Sequence, residues 1–349
     1  MRNLRPLQPF LTLYEKPRAC EFKAETLEEW KAWRNELKEK LIELLGGFPE
    51  RVPLEPEILE RKEFEDYTRE KIIFNSAPDV SVTGYLLIPK KINLPAPGVI
   101  ALHGHGYGKD DIVGIWEDGT ERTITDGYQK DFGISLTRHG FVALAIEQVC
   151  FGERREPEDI ARDKYQSSCR KVSFWAMLLG KTVLGMRVWD VIRAIDYLET
   201  RKEVMKASTG VMGISGGGMS ALFSSALEER INCAVVSGYL NTFKDSILSV
   251  YHCECNYVPG ILKYAEIYDI AGLIAPRYLL VESGTKDDIF PISATKFAIS
   301  KVKKVYELLG HPERFETDLF EGRHEISGRK AFDFLRKGLT NYIGHEPGE

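Results

Sequence analysis

Residues 209–222 read TGVMGISGGGMSAL, and this stretch has the pattern of a strand, a tight turn and a helix. The apolar run 210–214 is typical of a buried strand, and the apolar residues after the turn recur at helical spacing. Between them, Gly213, Ser215 and Gly217 form the pattern G-x-S-x-G, which is typical of a nucleophile elbow. The pattern predicts that Ser215 lies on a strained turn whose glycines let the strand and the helix approach closely.

Two other interpretations compete with the elbow. The pattern G-x-S-x-G arises by chance in roughly one chain in ten of this length. The stretch also contains G-x-x-G-x-G, a weak signal for a nucleotide-binding turn. Such a turn normally follows the first strand of its domain, and an acidic residue follows about 20 positions later. Because this stretch lies two-thirds of the way along the chain, the sequence disfavours a nucleotide site.

Length and composition indicate one globular domain with an extension. The chain has 349 residues, of which 43% are hydrophobic and 28% are charged. No linker rich in Ser, Gly or Pro interrupts its middle, so we expect residues 58–349 to form a single catalytic domain and residues 1–57 to form an N-terminal extension. Apolar residues within 26–45 recur at helical spacing and are followed by two glycines. This pattern predicts an amphipathic helix, and its ordinary width favours packing on the main domain over dimerisation.

Charge and hydropathy exclude several classes of partner. The formal net charge is −5 and the isoelectric point is about 5.9, with no basic stripe, so we expect neither nucleic acid nor an anionic membrane as a partner. The first twenty residues lack the apolar core of about 7–15 residues that a signal peptide needs. No apolar run approaches membrane-spanning length, and we therefore expect a cytoplasmic protein that acts on a small molecule.

The six cysteines are scattered and too few for a disulfide framework, so we expect mostly buried thiols. Cys253 and Cys255 could begin a metal site. No further Cys/His pair has the spacing of a partner half-site, and the sequence therefore predicts no bound metal.

Strands and helices alternate along most of the chain. Two β-rich runs, 69–76 and 80–90, flank a turn and predict an antiparallel hairpin. Further strands are predicted at 97–102, 141–146, 210–214, 233–238, 278–282 and 315–320, and a single long helix at 174–198. This alternation predicts a mostly parallel central sheet with helices on both faces.

Polar residues follow several of these strands at the edge where ligands bind in open α/β sheets. Residues 103–108, HGHGYG, follow one strand. An elbow serine needs a second N–H donor for the oxyanion from a loop after an earlier strand, so we call these residues the oxyanion loop. Asp287 follows a later strand and His324 follows the last one, which gives the chain order Ser215, Asp287, His324. That order is typical of α/β-hydrolases and differs from the order in chymotrypsin and subtilisin. Glu147 and residues 151–155, FGERR, also follow a strand, and we expect an internal Glu–Arg ion pair among them that fixes the loop.

Seven motifs together resemble the α/β-hydrolase superfamily, and within it the dienelactone-hydrolase and acetylxylan-esterase-like group. The resemblance covers residue 85 to the C-terminus, and its motifs are LHGHGYGK, FGER, GISGGG, CECNYVPG, DIAGLIAPR, GTKDDIFPI and FEGRHE. In that group the acid lies three residues after the glycine and four before the proline of its motif, which favours Asp287 over Asp288. Dienelactone hydrolases generally use a cysteine nucleophile, so Ser215 disfavours dienelactone as the substrate.

The resemblance implies a serine esterase with a Ser215, His324, Asp287 triad and no metal or organic cofactor. The backbone N–H of Gly216 follows the nucleophile and would bind the oxyanion. By analogy with the family's HG loop, the N–H of His105 would be the second donor, with Gly104 as the alternative. Polar residues interrupt segment 239–275, the expected cover of the site, so we expect short-acyl esters, with acetyl esters of carbohydrates among them.

Two alternatives stay open at this point. A peptidase of the prolyl-oligopeptidase type shares the triad order, but the chain has no room for the large gating domain of those enzymes. A non-catalytic binding protein on a hydrolase fold is the other alternative.

Overall fold

A computed structural model describes residues 4–340 and arranges them around one sheet of nine strands. The strands are β1 (Glu57–Glu63), β2 (Tyr67–Ala77), β3 (Val80–Pro89), β4 (Ala96–Leu102), β5 (Val142–Ile146), β6 (Val204–Ile214), β7 (Ile231–Ser237), β8 (Tyr278–Gly284) and β9 (Phe315–Phe320). The α-helices are α1 (Gln8–Tyr14), α2 (Leu27–Leu44), α3 (Phe132–Arg138), α4 (Pro157–Ile160), α5 (Cys169–Leu178), α6 (Val183–Thr200), α7 (Gly216–Leu227), α8 (Ile267–Gly272), α9 (Ile292–Leu308) and α10 (Ala331–Thr340).

The strand order is β1-β2-β3-β5-β4-β6-β7-β8-β9. The pairs from β1 to β5 are antiparallel, and all pairs from β5 to β9 are parallel, so the predicted mostly parallel sheet with an opening hairpin is confirmed. The chain passes from β4 to β5 on one side and returns to β6 on the other side of β4. Ligands bind in open α/β sheets at such a reversal, beside the carboxyl ends of the strands.

Helices cover both faces of the sheet, as predicted. Successive side chains of β4 alternate between two apolar cores, because neighbouring residues of a strand point to opposite faces. Ile100 and Leu102 lie in the core that α2, α6 and α7 cover. Val99 and Ala101 lie in the core that α3 and α10 cover. Among residues 4–340, no helix combines the length and the apolar character needed to cross a bilayer.

The helix predicted in the N-terminal extension is confirmed as α2. The Thr26 hydroxyl accepts a hydrogen bond from the Glu29 N–H at 3.2 Å, and the Glu29 carboxylate accepts one from the Thr26 N–H at 3.1 Å. This reciprocal capping fixes where the helix begins. The buried residues of the helix are Trp33, Leu37 and Leu41. They belong to the same apolar core as one face of the sheet, so the helix and the sheet share a single interior.

The single helix predicted over 174–198 is wrong, because the structure has two helices there, α5 and α6. Gly180 between them has a φ of +69°, a left-handed conformation that ends α5. Thr182 then starts α6, and its hydroxyl accepts a hydrogen bond from the Gly185 N–H at 2.9 Å. Apolar residues continue on both sides of the break, which is why the sequence pattern alone did not reveal it.

Candidate active site

The turn between β6 and α7 has the geometry of a nucleophile elbow. Ser215 has φ +57° and ψ −121°, and it is only 7% exposed. A Cβ added at Gly213 would lie 2.3 Å from the Gly217 carbonyl oxygen, and one added at Gly217 would lie 1.9 Å from the Leu102 carbonyl oxygen. Both glycines of the motif are therefore required by close backbone approach. The Ser215 N–H donates to the Ser237 carbonyl at 3.0 Å, which anchors the turn to β7.

The acid and the histidine lie together. Nδ1 of His324 is 2.7 Å from Oδ2 of Asp287. The other oxygen of Asp287 accepts hydrogen bonds from the N–H groups of Ile289 and Phe290, at 2.8 and 2.9 Å, so the carboxylate is fixed in orientation. Asp288 is exposed and makes no side-chain hydrogen bond with any residue of 4–340. The geometry thus favours Asp287 over its neighbour as the partner of the imidazole.

The His324 ring lies between two aromatic rings at the elbow. Its centroid is 5.7 Å from that of Tyr128 and 5.6 Å from that of Phe290, and both pairs are stacked. A Cβ added at Gly238, directly after β7, would lie 2.9 Å from Cε1 of His324. Nε2 of His324 has no hydrogen-bond partner within residues 4–340, so Ser215 and His324 are not hydrogen-bonded here. Catalytic hydrogen bonds are often long in a resting enzyme and shorten with substrate.

Three backbone N–H groups are candidate oxyanion donors, those of Gly216, His105 and Gly104, and the Gly104 group is engaged by another residue. Gly216 is the first residue of α7, where an N–H has no partner within the helix. The Gly104 N–H already donates to Oε1 of Gln129 at 2.6 Å, which removes this alternative donor. The His105 N–H has no partner in the part of the chain that the structure describes. The hydroxyl of Tyr128 donates to the His105 carbonyl at 2.6 Å and so holds the following peptide, between His105 and Gly106.

His252 is a site residue that the sequence reasoning did not single out. Its ring centroid lies 6.3 Å from that of His105 and 5.9 Å from that of Phe290. Burial, and then the nearby charge of His324, lower the pKa of His252 to about 4, so its ring is neutral at pH 7. Nδ1 of His252 is buried without a hydrogen-bond partner among the described residues. Only its place in the cover segment 239–275 could have suggested it from sequence.

The predicted internal Glu–Arg ion pair among Glu147 and residues 151–155 is wrong, because Glu153 pairs with Lys71 and Lys109 and neither arginine pairs with either carboxylate. The Glu147 carboxylate instead bonds the Lys109 N–H at 2.9 Å and the Lys109 ammonium at 3.2 Å, and lies 3.1 Å from Nε2 of His103. Arg154 pairs with Asp190 at 2.7 Å, and it contacts Glu147 through the backbone carbonyl, to which it donates at 2.9 Å, and not through the carboxylate. Burial alone would raise the pKa of Glu147, but the charge of Lys109 and the bonds from His103 and Lys109 lower it to about 2. Glu147 is thus an anionic anchor beneath the oxyanion loop.

We expect Glu147→Gln to lower the free energy of unfolding at pH 7 by about 3 kcal/mol, because it leaves the buried ammonium of Lys109 without its buried counter-charge. The control is Glu153→Gln, which removes a half-exposed partner of the same lysine and is expected to cost less than about 1 kcal/mol. Urea unfolding measures both values. The wild-type contribution is fully present above pH 4.5 and is lost as the pH falls through about 2. Equal costs for the two variants would contradict this role of Glu147.

A second group of side chains meets beside the oxyanion loop. The ligand atoms of His105, Cys169, Cys253 and Cys255 all lie within 4.8 Å of one another. The sequence offered no Cys/His pair at the spacing of a partner half-site, but the fold brings His105 and Cys169, which are far apart in sequence, beside Cys253 and Cys255. None of the six cysteines forms a disulfide, and all except Cys253 are buried, as predicted.

Comparisons with known proteins agree with this architecture. A protein of Bacillus subtilis (strain 168) described as hydrolase YtaP is 29% identical over 318 residues, which are 88% of this chain and 100% of that protein. A Bacteroides fragilis NCTC 9343 structure described as an acetyl xylan esterase has a TM-score of 0.78 and 19% identity, and the match covers 96% of this chain and 90% of that one. A glucuronoyl esterase from Solibacter usitatus has a TM-score of 0.65 and 17% identity, with 92% and 97% covered.

The family comparison spans almost the whole sequence. The model of the Abhydrolase family matches residues 11–342, which include every strand of the sheet, the elbow and the loops that hold Asp287 and His324. The resemblance to α/β-hydrolases that the motifs indicated is confirmed, and the chain belongs to the Abhydrolase family.

Proposed function

We propose that the protein is a serine esterase that hydrolyses carboxylic esters with Ser215 as nucleophile. The observation that carries the proposal is the 2.7 Å contact between Asp287 and His324 beside the strained Ser215 elbow. The structural neighbours described as acetyl xylan and glucuronoyl esterases support the same chemistry.

In the proposed mechanism, Nε2 of His324 takes the proton from the Ser215 hydroxyl as its oxygen attacks the ester carbonyl. Asp287 holds the imidazole tautomer and stabilises the imidazolium that forms. The N–H groups of Gly216 and His105 stabilise the oxyanion, and each such donor is worth roughly 2.7–4 kcal/mol in the transition state. The alcohol leaves with the proton from His324, and a water molecule then releases the acid from the acyl-enzyme by the same steps.

Labelling with a fluorophosphonate tests the nucleophile directly. We expect one adduct on Ser215 in the wild type and none in Ser215→Ala. An unlabelled wild type would favour a non-catalytic binding protein on this fold. Turnover of proline peptides in preference to acyl esters would favour the prolyl-oligopeptidase alternative.

The acyl site is proposed to be small. The rings of His105, His252, Phe290 and His324 follow one another with centroids 6.3, 5.9 and 5.6 Å apart, from the oxyanion loop to the catalytic histidine. We infer that this row closes one side of the acyl site. Acetyl esters of carbohydrates fit a small acyl site, and one structural neighbour is described as an acetyl xylan esterase.

We expect kcat/KM for p-nitrophenyl esters to be highest for acetate or butyrate and to fall by more than about tenfold at octanoate. Each methylene that the site cannot bury forfeits roughly 0.8 kcal/mol of available binding. A series of esters of increasing chain length measures the trend at constant leaving group. A maximum at octanoate would refute the small acyl site and leave the triad unaffected.

A further inference from the structure

Four side chains of the types that ligate metals converge from three separate segments. His105 lies on the oxyanion loop, Cys169 is the first residue of α5, and Cys253 and Cys255 flank Glu254 in the segment between β7 and α8. Nε2 of His105 lies 3.6 Å from Sγ of Cys255, which lies 3.2 Å from Sγ of Cys253. Segments far apart in sequence thus present one nitrogen and three sulfur atoms to a common centre.

The separations suit a tetrahedral zinc ion. Bonds of about 2.3 Å to sulfur and about 2.0 Å to nitrogen place tetrahedral ligands about 3.5–3.8 Å from one another. The His105–Cys255 separation of 3.6 Å lies in this range, the Cys253–Cys255 separation of 3.2 Å is shorter, and no separation in the group exceeds 4.8 Å, so shifts of less than about 1 Å would complete the tetrahedron. Three cysteines and one histidine are also one of the common ligand sets of structural zinc sites.

A buried arginine beside the cluster gives an independent indication of negative charge there. Arg187 is 1% exposed, and no carboxylate of residues 4–340 pairs with it. Its guanidinium donates to Sγ of Cys255 at 3.4 Å, to Sγ of Cys169 at 3.5 Å and to the Val149 carbonyl at 3.2 Å. Its Nε has no hydrogen-bond partner among the described residues, and the guanidinium lies over the Phe151 ring at 5.2 Å.

The charge balance favours metal-bound thiolates over neutral thiols. A buried cation without a counter-charge is strongly unfavourable. A Zn²⁺ ion with three thiolates and a neutral imidazole carries one net negative charge, which the Arg187 guanidinium neutralises. Three neutral thiols would leave Arg187 uncompensated in the protein interior.

We propose that His105, Cys169, Cys253 and Cys255 form a structural Zn²⁺ site that ties the oxyanion loop to α5 and to the segment after β7. Binding displaces the three thiol protons to solvent and changes no oxidation state. The protein fills all four coordination positions, which is typical of a structural site and not of a catalytic one. His105 would be held by its ring while its N–H faces the substrate, so the metal acts as a positioning device for the oxyanion loop.

The test measures metal and thiols in the purified, untagged full chain. We expect about one Zn²⁺ per chain by elemental mass spectrometry, and six free thiols after denaturation in a chelator. The double variant Cys253→Ser, Cys255→Ser is expected to lose the zinc. The control is Cys20→Ser, which alters a buried thiol that lies near Glu36 and outside the cluster and should retain the metal.

Replacement of zinc by Co²⁺ keeps the test decisive if the double variant does not fold. The wild type is expected to show thiolate-to-cobalt charge-transfer bands and the visible bands of a tetrahedral ion. Ser215→Ala should bind zinc like the wild type, so the metal site and the esterase can fail independently. Six free thiols in the wild type without metal would overturn the proposal, and so would two missing thiols, which would indicate a disulfide.

Discussion

Ser215→Ala and His324→Ala are each expected to lower kcat by about 10⁶, and the double variant is expected to lose hardly more than either single one. The reason is that the serine and the histidine act as one unit, because neither the nucleophile nor the base performs the attack alone. The residual rate comes from the oxyanion donors and from substrate binding, which both substitutions leave in place.

The measurement is kcat for p-nitrophenyl acetate with each variant after its fold is checked by circular dichroism. Matched controls are Ser81→Ala and His311→Ala, which alter an exposed serine and a half-buried histidine outside the site and should keep wild-type kcat. Losses that multiply in the double variant would show that the two residues act independently and would exclude the triad.

Asp287→Asn is expected to lower kcat by up to about 10⁴, whereas Asp288→Asn is expected to have little effect. Oδ2 of Asp287 accepts the Nδ1 proton of His324 at 2.7 Å, and an amide nitrogen at that position would favour the wrong imidazole tautomer. The other side-chain oxygen can still accept the N–H groups of Ile289 and Phe290, so the turn is expected to stay folded.

Steady-state kinetics of the two asparagine variants on one ester decide between the neighbouring carboxylates. The size of the difference matters less than its direction. A larger loss for Asp288→Asn would transfer the role to that residue and would require the turn to rearrange on substrate binding.

The features that the sequence predicted well are those with local physical causes. Gly213 and Gly217 are needed because a Cβ at either position would collide with backbone oxygen atoms, so the elbow leaves a trace in five consecutive residues. The contact between Asp287 and His324 was predictable because each residue follows a strand, and parallel strands bring their carboxyl ends to one edge. The hydrophobic periodicity and the position of each residue along the chain were sufficient to predict these features.

The features that escaped prediction depend on contacts between distant segments. Glu147 pairs with Lys109, 38 positions earlier, and not with the arginines that follow it closely. His105 and Cys255 lie 150 positions apart and meet only because the sheet order brings their loops together. The break before α6 depends on one left-handed glycine within a continuous apolar pattern. No periodicity encodes such pairings.

The shared interior of α2 and the sheet means that the extension is not an accessory. Burial of side chains such as Trp33, Leu37 and Leu41 is worth about 1.5–3 kcal/mol each. Their sum is comparable with the whole stability of a typical domain, about 5–15 kcal/mol. Residues 20–48 are therefore expected to unfold together with the sheet, and a shortened protein that starts at β1 would expose an apolar surface prone to aggregation.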